Sequence, residues 1–474
     1  MKVNKICIVG GGTAGWMTAA TFSHLNPDKE ITLIESPHVP TIGVGESTTQ
    51  FISEWLRLLE IEDEDWMREC DATYKYSVRF ENFSATEGAF HFPFINIIET
   101  PSNDISNWFI HKTVTDCPAD TFAKFYCPQY KSIVENRIIT TDVDFYRHKV
   151  DRGFHIDAAK FANWLRINKC QKVDHIIKHV DKGILNEDYD LFVDCTGFKS
   201  LLLEKFMNVP YISFNNQLLN NRAISVRTPY NDVESEMKTY TDCVAMSAGW
   251  IWNIPLWHRF GRGYCYSSNH INESRAETEF KNYLRQIYTS DEIDDFTFNH
   301  IQIRNGKHDI AWKKNCVAIG LSYGFLEPLE STGLLTTHET ILHLCDTLLR
   351  RDRFISRIDV DVFNNEVDTI MEGLKDFVAI HYALSQRSDT KYWRDCRDIF
   401  TCKNQLEKLN EFSSGSVGLL YIAAGFGWRP TNQITKANID ALHEQWQTDK
   451  EELLNWMSLQ PTHYQYLKKS IYSK

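Results

Sequence analysis

What the sequence lacks narrows its function first. It has no excess of positive charge: 51 Lys and Arg against 63 Asp and Glu give a net charge of −12, a sign that disfavours a phosphate backbone and points away from nucleic acid. It has no C-x-x-C pair and no Cys/His cluster at zinc spacing. Its 12 cysteines are scattered from Cys7 to Cys402, the pattern of reduced, buried thiols in a cytoplasmic protein without a metal site. No apolar run approaches the ~20 residues of a membrane helix; the longest, 417–428, is far shorter. The opening MKVNKICIVG runs straight into a strand, so neither a signal peptide nor a membrane helix is expected. Internal repeats and low-complexity linkers are absent too. The 474 residues, enough for about three domains at about 150 residues each, are therefore expected to interleave as one body.

What is abundant is aromatic. Trp, Tyr and Phe number 13, 20 and 28, or 13% of the chain, more than a core requires, so pockets for rings are expected. Residues 4–9 read as a short buried strand, broken by GGGTAGW and resumed as the helical run WMTAATFSHL and a second apolar strand, ITLIE. This is the β-glycine turn-α-β order of a Rossmann-type α/β fold. In YKYSVRF, Tyr74, Tyr76, Val78 and Phe80 alternate with Lys75, Ser77 and Arg79, which places Lys75 on the polar face of a single strand. Residues 84–150 are irregular and aromatic-rich, with FHFPF at 90–94 and NWFIH at 107–111. A helix is expected over 157–166, a buried strand over 190–198, an additional β-sheet region from about 210 to 305, and a strand at 315–320 before a helix that begins near Ser331. The remainder is mainly helical, with Val367, Ile370, Met371, Leu374, Phe377, Val378 and His381 on one stripe. The expected division is a body over 1–352, with a substrate-pocket insertion at about 84–150, and a helical cap over 353–474.

Gly10, Gly12 and Gly15 fit G-x-G-x-x-G. The first permits the tight turn, the second lets a pyrophosphate approach the backbone, and the third lets helix and strand pack closely. Thr13 and Ala14 complete the turn at a helix N-terminus, where phosphate is favoured. Glu35 ends the second strand where an acidic side chain can accept from a ribose diol. DCTGF at 194–198, with Gly197, and NCVAIGLS at 315–322, with Gly320, suit closure round the rest of FAD. No second G-x-G-x-x-G is present for a nicotinamide nucleotide, so reducing equivalents are expected from a separate protein.

Four segments together resemble the flavin-dependent halogenases of the tryptophan-halogenase family: GGGTAGW at 10–16, IGVGEST at 42–48, WIWNIP at 250–255, which matches that family's W-x-W-x-I-P signature, and FLEPLESTGL at 325–334. RSDTKYW at 387–393 and the PTH of 461–463 are weaker echoes. The resemblance implies a two-component enzyme. Reduced FAD, supplied by a separate NAD(P)H-dependent flavin reductase, gives with oxygen and chloride, bromide or iodide a hypohalous acid, which travels to an aromatic substrate. It implies that Gly45, Glu46 and Ser47 join the cofactor site and that Lys75 receives the hypohalous acid, by hydrogen bond or as a haloamine, both of which remain open. It further implies that Glu330 stabilises the cationic ring intermediate or accepts its proton, with Glu327 the rival. It also implies that halide binds the amides of Thr332 and Gly333 at a helix N-terminus and that Trp250, Trp252 and Pro255 belong to the signature. The two tryptophans alternate and can project to one face, as a wall near the flavin or as core.

Members that act on free tryptophan carry paired tyrosines, a glutamate and a tryptophan in a C-terminal stretch. Between Trp393 and Trp428 this sequence has no Trp and no Tyr-Tyr pair, so an electron-rich indole, phenol or similar ring is expected rather than free tryptophan specifically. Phe90, His91, Phe92 and Phe94, with Trp108, are the candidate pocket walls. An ordinary FAD aromatic monooxygenase and a non-catalytic flavin-binding paralogue are the competing readings, and self-association is left open.

Overall fold

The strand Lys5–Val9 is almost entirely buried, and its apolar residues drive it into the middle of a sheet rather than to an edge. It pairs in parallel with Glu30–Glu35 on one side and Leu191–Asp194 on the other. The computed structural model describes residues 2–37, 45–85, 88–94, 109, 120–127, 129–140, 152–350, 354–399, 417–428 and 455–473. Within them the sheet has six strands in the order 312–313, 316–318, 191–194, 5–9, 30–35, 174–177. The helix Thr13–Leu25 follows the first strand directly and packs against the helices Ala158–Lys169 and Gly333–Arg350. This is the expected Rossmann-type α/β fold, with one difference. The outer strand Asp174–Ile177 pairs with Glu30–Glu35 but is short and half-exposed, so it carries no apolar run that marks it in the sequence.

The chain forms two compact units, each assembled from three stretches. The first comprises residues 1–72, 156–218 and 303–375 and contains the six-stranded sheet; the second comprises 73–155, 219–302 and 376–474. The second unit is built on a seven-stranded sheet in the order 299–302, 222–228, 260–266, 249–255, 240–245, 77–81, 90–93. Its central strand, Gly249–Pro255, is buried along its whole length. Trp252 lies against Gly263 of the neighbouring strand, where a Cβ would sit 2.1 Å from the indole, so only glycine leaves room for that ring.

The stretch Tyr74–Phe80 is two strands, not one: Thr73–Lys75 and Ser77–Glu81. Tyr76 breaks the ladder, donating its N–H to the Thr239 carbonyl at 2.6 Å and accepting from Phe94 N–H at 2.8 Å. The helical stripe from Val367 to His381 lies on one helix, Arg357–Leu384, with Val367, Met371, Val378 and His381 buried. Further helices are Lys391–Ile399, Val417–Gly425 and His463–Ser470, a mainly helical C-terminal region. Ten cysteines among the described residues are free and buried; burial pushes the Cys7 and Cys170 thiols up to about 12, which leaves them chemically quiet. No helix among the described residues is long and apolar enough to cross a membrane, and no group of His, Cys, Asp or Glu among them could hold a metal.

Candidate active site

In the first unit the glycine turn has the shape a dinucleotide needs. Gly10 adopts φ +118, and a Cβ there would fall 2.2 Å from the Cys195 carbonyl oxygen, while a Cβ on Gly15 would fall 1.8 Å from the Gly10 carbonyl oxygen. Gly12 differs: a Cβ would meet nothing within 4 Å. Open space therefore lies at the N-terminus of the helix Thr13–Leu25, whose first turn holds no acidic residue and whose exposed N–H groups favour an anion. Glu35 lies against this turn, its carboxylate filling the place of a Gly11 side chain. His175 Nε2–H donates to Glu35 Oε1 at 2.7 Å and meets the Trp16 ring edge-on at 5.0 Å. His175 orients the acid, and nothing in its own sequence context announced it.

Two more glycine turns close the cradle. Asp194, fully buried, accepts from Thr196 N, Thr196 Oγ1, Leu202 N and Leu203 N at 2.6–3.0 Å, which bends the chain so that Gly197 reaches φ +67 with open space beside it. Gly320 adopts φ +64, and a Cβ there would approach Ala14 Cβ to 3.0 Å and Thr337 Oγ1 to 3.2 Å, so this turn lies on the first turn of one helix and beside another. These residues fit an extended nucleotide such as FAD: open space faces bare backbone at Gly12 and Gly197, with a carboxylate beside it.

Gly45, Glu46 and Ser47 belong to the same unit, whereas 38–44, including the start of IGVGEST, lies outside the described residues. Burial first, and then the negative charge of Asp157, pushes the Glu46 carboxyl up to about 7. A folded-state value above the ordinary one means that Glu46 contributes most when protonated; that contribution is complete below the ordinary carboxylate range and is lost as pH rises to about 7. Glu46→Gln is expected to leave apoprotein Tm nearly unchanged at about pH 5 and raise it by a few degrees at about pH 8. A Tm difference independent of pH in paired calorimetric scans would exclude this assignment.

The EPLESTG segment folds as a turn, Pro328–Glu330, followed by Ser331 at φ 60 and ψ 35. A serine held in this left-handed region costs about 1–3 kcal/mol and persists only where its surroundings fix it. Here Ser331 N–H donates to the Pro328 carbonyl at 3.1 Å and Ser331 Oγ to Ser47 Oγ at 3.0 Å. The helix then runs from Gly333, two residues later than Ser331, because the left-handed residue cannot be helical. Thr332 caps it, its carbonyl accepting from Thr336 N–H at 3.0 Å, and no acid lies in its first turn. Glu330 is 1% exposed and Glu327 0%; Glu327 N–H is anchored to Asn305 Oδ1 at 2.7 Å.

Lys75 belongs to the second unit, where its face is polar as expected but not solvated. Lys75 is 0% exposed, as are Thr73 on the same face and Ser77 at the start of the next strand, with its ammonium 4.5 Å from the Phe94 ring centroid. Alternation identifies a polar face but not whether water reaches it, and this face is covered. Trp250 and Trp252 are neighbours as expected, ring centroids 6.0 Å apart and both buried. Trp252 Nε1–H has no acceptor among the described residues. Phe90 is core, wedged between Phe80 and Phe426. His91 is pinned by Ser77 Oγ at 3.0 Å and held neutral, burial pushing it down to about 3. Phe92 is half-buried, near Phe94, Phe377 and Tyr421. Trp108 lies outside the described residues, as does 400–416.

Comparison with known proteins follows this geometry. A family model described as tryptophan halogenase matches residues 5–418. The 7-chloro-L-tryptophan 6-halogenase of Kutzneria sp. (strain 744) is 34% identical over 425 residues, covering 82% of this chain and 81% of that protein. The VirX1 apo structure superposes with a TM-score of 0.91 at 37% identity, covering 99% of this chain and 100% of that one. A tryptophan 6-halogenase from Streptomyces toxytricini gives a TM-score of 0.85 at 29% identity over 98% and 99%.

Proposed function

We propose, on the premise that this chain belongs to the tryptophan halogenase family and is a flavin-dependent halogenase of aromatic rings, that Lys75 delivers an electrophilic halogen to an electron-rich indole, phenol or similar ring not restricted to free tryptophan. The observation that carries this is the complete burial of Lys75, with its ammonium over the Phe94 ring. A lysine is costly to place out of water and is seldom fully buried without a task.

The Gly10–Gly15 turn, Glu35, the 45–47 segment, Gly197 and Gly320 would hold the cofactor, FAD. When bound, it supplies with oxygen the oxidising power that turns chloride, bromide or iodide into hypohalous acid. The amides of Thr332 and Gly333 hold the halide, favoured by a helix N-terminus with no acid in its first turn. Lys75 donates a hydrogen bond to the acid or is halogenated on nitrogen; Glu330 stabilises the cationic ring or takes its proton. Phe92 and Phe94, with His91 behind them, form the wall against which the ring stacks. Phe377 and Tyr421, from the C-terminal helices, complete it at 5.8 and 6.4 Å from Phe92. A separate NAD(P)H-dependent flavin reductase supplies electrons, and the free buried thiols fit a cytoplasmic setting.

The test is product mass from a panel of indoles and phenols, with an added flavin reductase, in the presence and absence of bromide. The expected product is halogenated and appears only with halide. Halide-independent hydroxylation would overturn the assignment.

A further inference from the structure

The buried face that carries Lys75 also carries a directional chain of hydrogen bonds that the chemistry above does not use. Thr73 and Lys75 are two residues apart on one strand and share a face. His155 lies directly opposite Thr73 on the antiparallel partner strand, so its ring joins that face. Thr73 Oγ1 donates to the Pro255 carbonyl at 2.6 Å and lies 3.1 Å from His155 Nδ1. On the other side of the ring, His155 Nε2 lies 3.0 Å from Thr241 Oγ1.

The protons in this chain can be assigned. A carbonyl only accepts, so the single hydroxyl proton of Thr73 goes to Pro255. At the His155 contact the Thr73 oxygen must then accept, which places a proton on Nδ1. In the neutral ring Nε2 is therefore the acceptor, and Thr241 donates to it. The groups whose charge bears on His155 are Lys75 and His463; both, after burial itself, oppose an imidazolium. Thr73, His155 and Lys75 are each 0% exposed, and Thr241 4%. The next residue is fixed in a similar way: Tyr74 N–H donates to His463 Nε2 at 3.0 Å, while His463 Nδ1–H donates to the Met237 carbonyl at 3.2 Å.

We propose that His155, acting through Thr73, is a positioning residue for Lys75: its neutral Nδ1–H tautomer holds the Thr73 hydroxyl on the carbonyl of Pro255, fixing the lysine strand to the last residue of the W-x-W-x-I-P strand. The inference rests on Lys75 being the halogen-delivering group. A lysine has four rotatable side-chain bonds, so its reach is set by where its backbone is pinned, and a misplacement of about 1 Å can cost about 100-fold in rate. On this account the proline of the signature matters through its carbonyl.

The experiment compares Thr73→Val, which keeps the shape and removes the hydroxyl, with Thr73→Ser, which keeps the hydroxyl. The readout is the partition of halide-dependent turnover between halogenated product and free hypohalous acid caught by a scavenger, beside Tm. Thr73→Val is expected to lower the coupled fraction between about tenfold and about 100-fold while flavin oxidation continues, and Thr73→Ser to restore it to within about threefold. Unchanged coupling in Thr73→Val, or an equal loss in Thr73→Ser, overturns the proposal. Should Thr73→Val fail to fold, the wild-type ring decides: histidine 13C and 15N shifts are expected to show His155 protonated on Nδ1 alone from about pH 6 to about pH 9, and an Nε2–H ring or an imidazolium overturns it. Lys75→Ala, run in parallel, separates the two layers. If it still halogenates regioselectively, the lysine assignment falls; if it is inactive while Thr73→Val stays coupled, only the positioning role falls.

Discussion

Lys75→Ala is expected to abolish halogenation while bound flavin is still reoxidised, with release of hydrogen peroxide or free hypohalous acid. The glycine turn, Glu35 and the Gly197 and Gly320 turns lie in the first unit and Lys75 in the second, and the substitution alters none of the residues assigned to the cofactor or the halide. Loss of a group that takes part in the chemical step typically removes about 10²–10⁴ in rate, and product should fall by at least that much. Stability should change little. Truncation leaves a cavity beside Phe94, but it also removes a cation from a site with 0% exposure, and the two effects oppose one another. Lys75→Met, which retains length and volume, isolates the amine: the same loss of product is expected, with Tm closer to wild type. Product mass and scavenged hypohalous acid are measured together, and regioselective product from either variant above about a tenth of the wild-type rate would remove the lysine from the mechanism. Lys75→Arg then separates the two forms of delivery. A guanidinium can still donate hydrogen bonds to the acid but stays protonated, leaving no free amine to halogenate. Retained activity therefore favours the hydrogen-bonded acid, and loss favours the haloamine.

Where the sequence is legible, local steric demand writes it. Gly10 and Gly15 are required because a Cβ at either would strike a carbonyl oxygen at 2.2 or 1.8 Å, and the strand-turn-helix-strand order around them identifies a Rossmann-type fold with no tertiary information. The stripe from Val367 to His381 is equally plain, since one helix face must be apolar to pack. Legibility fails where partners are distant in sequence. His155 and Thr241 stand 82 and 168 positions beyond Thr73, in contexts no different from those of ordinary core residues, and only pairing of the strands brings them together. The burial of Lys75 was hidden for a related reason: alternation reports the two faces of a strand, while the cover over one face comes from Phe94 after a chain reversal. Tyr76 breaks the strand through bonds to Thr239 and Phe94, again a non-local cause. The lysine and glutamate proposed as catalytic are legible only through family motifs; composition and periodicity give each an ordinary alternative, a solvated lysine and a carboxylate at a helix start.

Glu330→Gln is expected to lower halogenation by at least about tenfold, with halide-dependent flavin oxidation unchanged, whereas Glu327→Gln should stay within about threefold of wild type. Burial does not separate these carboxylates, at 1% and 0% exposure; their places in the turn do. The backbone of Glu327 is tied to Asn305, at the start of the turn. Glu330 is the last residue before the left-handed Ser331, which is itself fixed by Ser47, and it precedes by three positions the helix that starts at Gly333. Strain of this kind is retained where the position of the neighbouring side chain matters. A carboxylate is what a cationic ring intermediate needs, either as counter-charge or as base. Glutamine preserves volume and removes both capacities, so Tm should hold while product falls. A ring deuterated at the halogenated carbon separates the two roles. If Glu330 accepts the proton, its removal makes C–H cleavage slow, and a primary isotope effect absent from wild type should appear in Glu330→Gln. If Glu330 only stabilises charge, the variant should be slow with no such effect. Wild-type rates in Glu330→Gln together with a collapse in Glu327→Gln would transfer the role to the earlier carboxylate.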